Sequence, residues 1–128
     1  MIPFCRDQGV GLLPYSPLAR GLLAGTRGRD GRGSTERART DTLASAPDEA
    51  DLEVVDAVRA VAGERGVPPA QVALAWLLGK PGVSAPILGA TKPHHLDDAL
   101  AALELTLSED EVARLEAPYR PHAVFGYS

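Results

Sequence analysis

Residues 11–23 read GLLPYSPLARGLL, an apolar run that passes a proline and enters a turn of small residues. This pattern predicts a short strand within residues 11–17 that ends at the turn. A second short strand is predicted over residues 85–89, where Ile87 and Leu88 lie between a proline and a glycine. Both candidates contain a proline, which interrupts a hydrogen-bonded ladder, so we expect both strands to be very short.

Helical patterns flank the two predicted strands. A helix over residues 2–8 is expected to stop at Gly9, because glycine readily takes the left-handed conformation that ends helices. Residues 51–65 place valines at helical spacing. Residues 69–80 begin with a proline and are apolar on every face over their central part, which predicts a largely buried helix.

Two further helices are predicted after the second strand. The sequence Ser108-x-x-Glu111 matches a capping box, in which the two side chains satisfy backbone N–H groups at the start of a helix. The helix before it is identified by an apolar stripe of leucines at helical spacing, Leu96, Leu100 and Leu103.

The order of these elements predicts an α/β fold with parallel pairing of the two strands. Two parallel strands with helices on one side leave two unpaired edges and a bare apolar sheet face. A closed α/β barrel needs eight strands and about 250 residues. The 128 residues of this chain are therefore expected to be the last part of something larger.

Composition restricts the classes of protein to which the chain can belong. It is 45% apolar, carries 13 Lys and Arg against 17 Asp and Glu, and has one cysteine. The acidic balance argues against a nucleic-acid partner, and no apolar run approaches the roughly 20 residues of a membrane span. A short, early-charged amino terminus and a single cysteine predict a cytoplasmic protein without disulfides.

Residues 24–47 form a segment rich in glycine and arginine. It has almost no large apolar side chains and cannot bury enough surface to order itself. We expect it to be a mobile loop with solvated arginines, inserted between the first strand and the next helix.

Two strand ends carry candidate chemistry. Tyr15 at the end of the first strand offers a flat ring face, and the small residues after it let backbone N–H groups approach a phosphate. Thr91 and Lys92 open a helix, where free N–H groups and the lysine charge favour an anion. The pattern alone favours a plain turn with a rim tyrosine at the first strand end. At the second it equally allows a capping Thr91 and a solvated Lys92.

Together the two segments resemble the aldo-keto reductase family, whose members are NADP-dependent (β/α)8 barrels. Residues 15–21 are similar to the seventh-strand motif of that family, and residues 86–92 with Leu96-Asp97-Asp98 are similar to its eighth-strand motif. Residues 70–77 look like the helix between them. The resemblance implies that residues 1–128 are the carboxyl-terminal part of such a barrel, left open by this chain alone, with two short parallel strands and four to five helices.

The resemblance also implies a role for individual residues. Tyr15 would stack on the nicotinamide ring, and the turn after it would border the pyrophosphate. Thr91 and Lys92 would hold the adenosine 2′-phosphate, which favours NADP over NAD. The implied cofactor-binding set is Tyr15, Ser16, Pro17, Leu18, Ala19, Arg20, Gly21, Gly89, Ala90, Thr91, Lys92, His95 and Asp98.

The chain departs from the family pattern in three places. Ala99 replaces an adenine-contacting Asn, and Thr26-Arg27 stands where many relatives have a pyrophosphate-gripping Lys. Nothing matches the motifs that carry the catalytic Asp, Tyr, Lys and His, so no catalytic residue is assigned. No metal site is expected either, because adjacent His94 and His95 point to different sides of a helix.

These observations leave two readings of function open. In the first, the chain belongs to a reductase that transfers hydride between NADPH and a small-molecule aldehyde or ketone. It would be inactive alone, and it would associate with the missing barrel half or form an oligomer. In the second, it is a non-catalytic module of the same ancestry that binds nucleotide or a partner. A helix-turn-helix nucleic-acid binder is disfavoured, since the apolar second helix offers no base-reading side chains.

Overall fold

The computed structural model describes residues 1–28 and 47–121, which contain five α-helices. A 3₁₀ turn at Ala19–Gly21 lies between the first two. The mobile loop predicted over residues 24–47 falls largely outside the described residues. The helices are α1 (Ile2–Asp7), α2 (Glu49–Arg65), α3 (Pro69–Leu78), α4 (Pro93–Ala101) and α5 (Glu109–Glu116).

Helix ends follow the predicted signals closely. Ser108 and Glu111 form the expected capping box at the start of α5. Helix α2 begins earlier than expected, because the Asp48 and Asp51 side chains form a second capping box there. Gly66 ends α2 in the left-handed conformation, with φ of 66°.

The core lies between α2, α3 and α5. Val61 and Val72 are fully buried, and Leu115 of α5 closes over them. Leu18 and Leu23, from the segment after the first predicted strand, pack against this cluster while staying partly exposed. The predicted burial of α3 holds for Val72 to Ala75, whereas its last turn is only half-buried.

The two predicted strands are reduced to isolated parallel pairings in the described part of the chain. Leu12 pairs with Val83 and Tyr15 pairs with Ile87. The partners are three residues apart in the first segment and four apart in the second, so one extra residue bulges out of the second. Prolines 14 and 86 lie between the pairings and lack N–H groups, which is why no continuous strand forms. The parallel direction and the brevity of the pairing agree with the prediction, but neither described segment forms a continuous strand.

Several large apolar side chains are uncovered in the described residues. The predicted stripe on α4 is present, yet Leu96 and Leu100 are each 54% exposed and Leu103, beyond the helix end, is 63% exposed. Ile2 and Phe4 of α1 are exposed as well. No described helix is both long enough and apolar enough to cross a bilayer.

Ion pairs fasten α5 to its neighbours. Arg65 at the end of α2 donates to both carboxylate oxygens of Glu111, at 2.5 and 2.6 Å. Arg114 makes a similar two-pronged contact with Glu64. Glu116 accepts hydrogen bonds from the Trp76 indole and the Lys80 ammonium group of the α3 end. These contacts cover the edge of the helical core.

The Arg65–Glu111 pair makes the free energy of unfolding depend on pH. Hydrogen bonds from Arg65 and from the Ser108 backbone lower the pKa of Glu111 from 4.5 to about 2. Since the folded pKa lies below the ordinary value, this contribution is fully present above pH 4.5 and disappears as the pH falls towards 2. We expect Glu111→Gln to lower the free energy of unfolding near neutral pH, and the difference from the unchanged chain to shrink in acid. Denaturant titrations of both chains near neutral pH and in acid measure the free energies of unfolding.

Glu53→Gln, at an exposed position on α2, is the matched control and should change little at either pH. An effect of Glu111→Gln that is equally large in acid would contradict the pairing.

Candidate functional site

The pairing of Tyr15 with Ile87 brings the two predicted motifs together. The Ile87 N–H donates to the Pro14 carbonyl at 2.8 Å, and each motif continues directly from its paired residue. The turn at residues 16–21, named here the first turn, thus begins beside residues 88–92, named the second turn. Parallel segments that end at one edge present their following turns to the same side, as in nucleotide-binding α/β proteins.

The first turn adopts a strained backbone at non-glycine residues. Ser16, Ala19 and Arg20 have φ values of 52°, 46° and 55°, in the left-handed region that costs a non-glycine residue roughly 1 kcal/mol or more. Gly21 follows with φ of 97°. Three such residues within five positions persist only where surrounding contacts determine the conformation, and they concentrate at functional sites.

The backbone carbonyls of the first turn are occupied by hydrogen bonds from nearby residues of the chain. Each carbonyl from residue 18 to residue 22 accepts a hydrogen bond from a group between residues 21 and 27. In contrast, the N–H group of Leu18 finds no acceptor among the described residues. Ser16 is exposed and Leu18 half-buried. A turn with a spare donor and occupied acceptors suits an anion.

The ring of Tyr15 stands at the start of this turn. It is 77% exposed, an unusual state for a large aromatic side chain whose backbone neighbours are paired. Pro17, two residues on, is half-buried. The ring therefore offers a face on which a flat group could lie.

The second turn leads into a helix start that lacks an acidic cap. Lys92 is the N-cap residue of α4, and its side chain makes no capping hydrogen bond. The opening helical turn of α4 contains no Asp or Glu. Gly89, Ala90, Thr91 and Lys92 are all exposed. The helix dipole and the lysine charge therefore act together on the same solvent-facing point.

Two predicted residues of α4 are engaged within the protein. The Thr91 N–H donates to Nδ1 of His95 at 3.4 Å. Asp98 accepts a hydrogen bond from the Gln71 side-chain amide at 3.1 Å. His95 therefore contacts the second turn, and Asp98 attaches α4 to α3.

Three residues have structural roles at the site that the sequence analysis did not predict. Arg27, expected to be solvated, is only 6% exposed, and its Nε donates to the Arg20 carbonyl at 3.0 Å. Thr26 holds the next carbonyl. Gln71 had a signal in the sequence, because it is the one polar side chain within the apolar helix α3.

The site is an open surface rather than a cavity. A cavity of about 360 Å³ beside Trp76 and Lys80 is lined by no residue of either turn. Within residues 1–28 and 47–121, no three His, Cys, Asp or Glu side chains come together as a metal site requires.

Comparisons with known proteins agree on one family. The model of the aldo/keto reductase family matches residues 1–120. A versiconal hemiacetal acetate reductase of Aspergillus parasiticus is 40% identical over 97% of this chain and 36% of its own length. A putative aryl-alcohol dehydrogenase of Schizosaccharomyces pombe is 43% identical over 98% of this chain and 35% of its own.

A solved structure also resembles the chain. A thermostable aldo-keto reductase, crystallised with the inhibitor epalrestat, superposes with a TM-score of 0.62 and 31% identity. The match covers 92% of this chain and 33% of that one. The chain thus spans about a third of the length of the relatives it matches.

The Gln71–Asp98 contact predicts that α4 depends on α3. We expect Asp98→Ala to speed amide hydrogen exchange in α4 by about fivefold, from the loss of about 1 kcal/mol. Asp97→Ala, on the exposed side of the same helix, is the control with equal helix propensity and should leave exchange unchanged. Equal exchange rates in the two variants would show that the contact does not hold α4.

Proposed function

The chain belongs to the aldo/keto reductase family, and we propose that it forms the carboxyl-terminal, NADPH-binding part of a (β/α)8 barrel oxidoreductase. The proposed reaction of the whole barrel is hydride transfer between NADPH and a small-molecule aldehyde or ketone. A reductase and a putative aryl-alcohol dehydrogenase among the relatives support a carbonyl–alcohol couple. The catalytic residues lie outside this chain in the proposal, which leaves residues 1–128 inactive alone.

The observation that carries this proposal is the adjacency of two anion-suited turns. The spare N–H group of Leu18 lies in the first turn, and the uncapped start of α4 with Lys92 lies in the second. A dinucleotide carries phosphates at two separated points, which two neighbouring turns can bind at once. When bound, NADPH would supply the hydride.

Each predicted residue then has a defined task. The exposed ring of Tyr15 would stack against the nicotinamide and fix which of its faces is presented. Residues 16–21 would bind the pyrophosphate, largely through backbone N–H groups. Residues 89–92 would hold the 2′-phosphate, with Thr91 and Lys92 as the side-chain donors. His95 and Asp98 would border the adenine.

The uncovered apolar side chains support association with the rest of a barrel. Leu13, Tyr15 and Ile87 of the paired segments are more than half exposed, as is the leucine stripe of α4. Such an uncovered surface is costly in water and is typical of an interface. We propose that the remaining two thirds of the barrel cover it, while self-association into an oligomer is the competing outcome. The cytoplasmic location stays a prediction.

Lys92→Ala tests the assignment of the 2′-phosphate. A charge-assisted hydrogen bond to phosphate is worth about 1.5 kcal/mol, so we expect NADPH to bind about tenfold more weakly while NADH binding stays unchanged. Cofactor fluorescence on titration with the chain measures both affinities. Arg59→Ala removes an equal charge from an exposed position on α2 and should alter neither.

An equal loss of NADPH and NADH affinity in Lys92→Ala would contradict the assignment. No binding of either cofactor by the unchanged chain would favour the non-catalytic, partner-binding reading.

Complementation tests the proposed reaction of the whole barrel. The chain is mixed with the preceding two thirds of the aryl-alcohol dehydrogenase relative, which would contribute the catalytic residues. We expect NADPH-dependent reduction of an aromatic aldehyde that neither part gives alone. A variant with Leu96 and Leu100 changed to Glu should fail to complement while its own core remains folded. A folded, associated mixture without reduction would count against the proposal.

A further inference from the structure

Arg27 is a buried cation within the site's supporting structure. Its side chain is 6% exposed, although guanidinium groups are among the most costly to remove from water. Its Nε donates to the carbonyl of Arg20, seven residues earlier, at 3.0 Å. The side chain therefore reaches back to the first turn rather than extending into solvent.

Thr26 holds the neighbouring carbonyl. Both its N–H and its Oγ1 hydroxyl donate to the Gly21 carbonyl, at 3.0 and 3.1 Å. Two successive side chains thus fix two successive carbonyls, those of Arg20 and Gly21. We name Thr26 and Arg27 together the clasp.

The clasped carbonyls belong to the left-handed part of the turn. Arg20 has φ of 55° and Gly21 has φ of 97°. The packing is close as well, because a Cβ atom on Gly21 would lie 2.3 Å from the Thr26 Oγ1. Without these hydrogen bonds, the Arg20–Gly21 peptide could relax and turn a carbonyl towards solvent, where it would repel an anion.

We propose that Thr26 and Arg27 are positioning residues, which hold the first turn in the one conformation that keeps its carbonyls occupied and its Leu18 N–H group available. The role in cofactor binding rests on the proposed function, whereas the hold on the turn does not. Arg27 acts through the Arg20 carbonyl in this proposal, and a direct grip on the pyrophosphate is the competing role.

Lysine separates the two roles. Arg27→Lys keeps the positive charge but loses the rigid guanidinium that places Nε on a carbonyl. Arg27→Met keeps the length and loses both. If Arg27 positions the turn, both variants loosen the turn and weaken NADPH binding to the same extent. If Arg27 binds phosphate by its charge, Arg27→Lys keeps the NADPH affinity.

The first readout is hydrogen exchange of the full chain without cofactor. We expect both Arg27 variants to speed exchange of the Gly21, Leu22 and Leu23 amides about tenfold, with the α2 and α3 amides unchanged. Thr26→Val, which loses only the hydroxyl, should give a smaller change at the same amides. Arg59→Met on exposed α2 is the matched control. Unchanged exchange in Arg27→Met would overturn the proposal.

The second readout is NADPH affinity. We expect Arg27→Met and Arg27→Lys to weaken binding about tenfold, and Arg20→Gly to reduce that loss in the double variant, because glycine takes a positive φ without strain. Affinity kept by Arg27→Lys, or unchanged affinity despite faster exchange, would overturn the positioning role while leaving the proposed function intact. Absence of NADPH binding by the unchanged chain would overturn the proposed function. Amide hydrogen exchange would still decide whether the clasp holds the turn.

Discussion

The hydrogen bond from the Ile87 N–H to the Pro14 carbonyl is the contact on which the arrangement of the site depends. It fixes Tyr15 opposite Ile87, and the chain leaves this pair in two turns that begin side by side. Their sequence separation is over seventy residues, so no local preference could bring them together. Either turn alone would be a weak anion site, and only their adjacency suits a ligand with two phosphate positions.

The helices form the scaffold behind this pair. The core between α2, α3 and α5 buries apolar side chains on one side, and ion pairs to Glu111 and Glu116 close its edge. Helix α4 is attached to α3 through Gln71 and Asp98. Large apolar side chains of α4 and of the paired segments remain uncovered, which fits a chain that spans about a third of its relatives. The same residues that are poorly covered here would face the rest of a barrel.

Local chemistry explains which features the sequence could predict. Capping boxes, a first-turn proline and glycine ends act within a few residues, so helix positions were predicted to within about two residues. Strand length and exposure depend on distant partners, and the leucine stripe of α4 was predicted without its exposure. The burial of Arg27 was not predicted, because the Arg20 carbonyl to which it donates becomes accessible through a left-handed backbone conformation. No sequence pattern indicated that conformation. The candidate site residues came from the family resemblance, and their roles remain proposals.

Amide chemical shifts of the isotope-labelled chain, followed during titration with NADPH, report whether one dinucleotide binds both turns. We expect the Ser16 and Leu18 amides and those of residues 89–92, 94 and 95 to shift together, along one saturation curve, while amides of the α2–α3–α5 core do not shift. Shifts confined to one of the two turns, or two curves with separate midpoints, would contradict the claim that one dinucleotide bridges both.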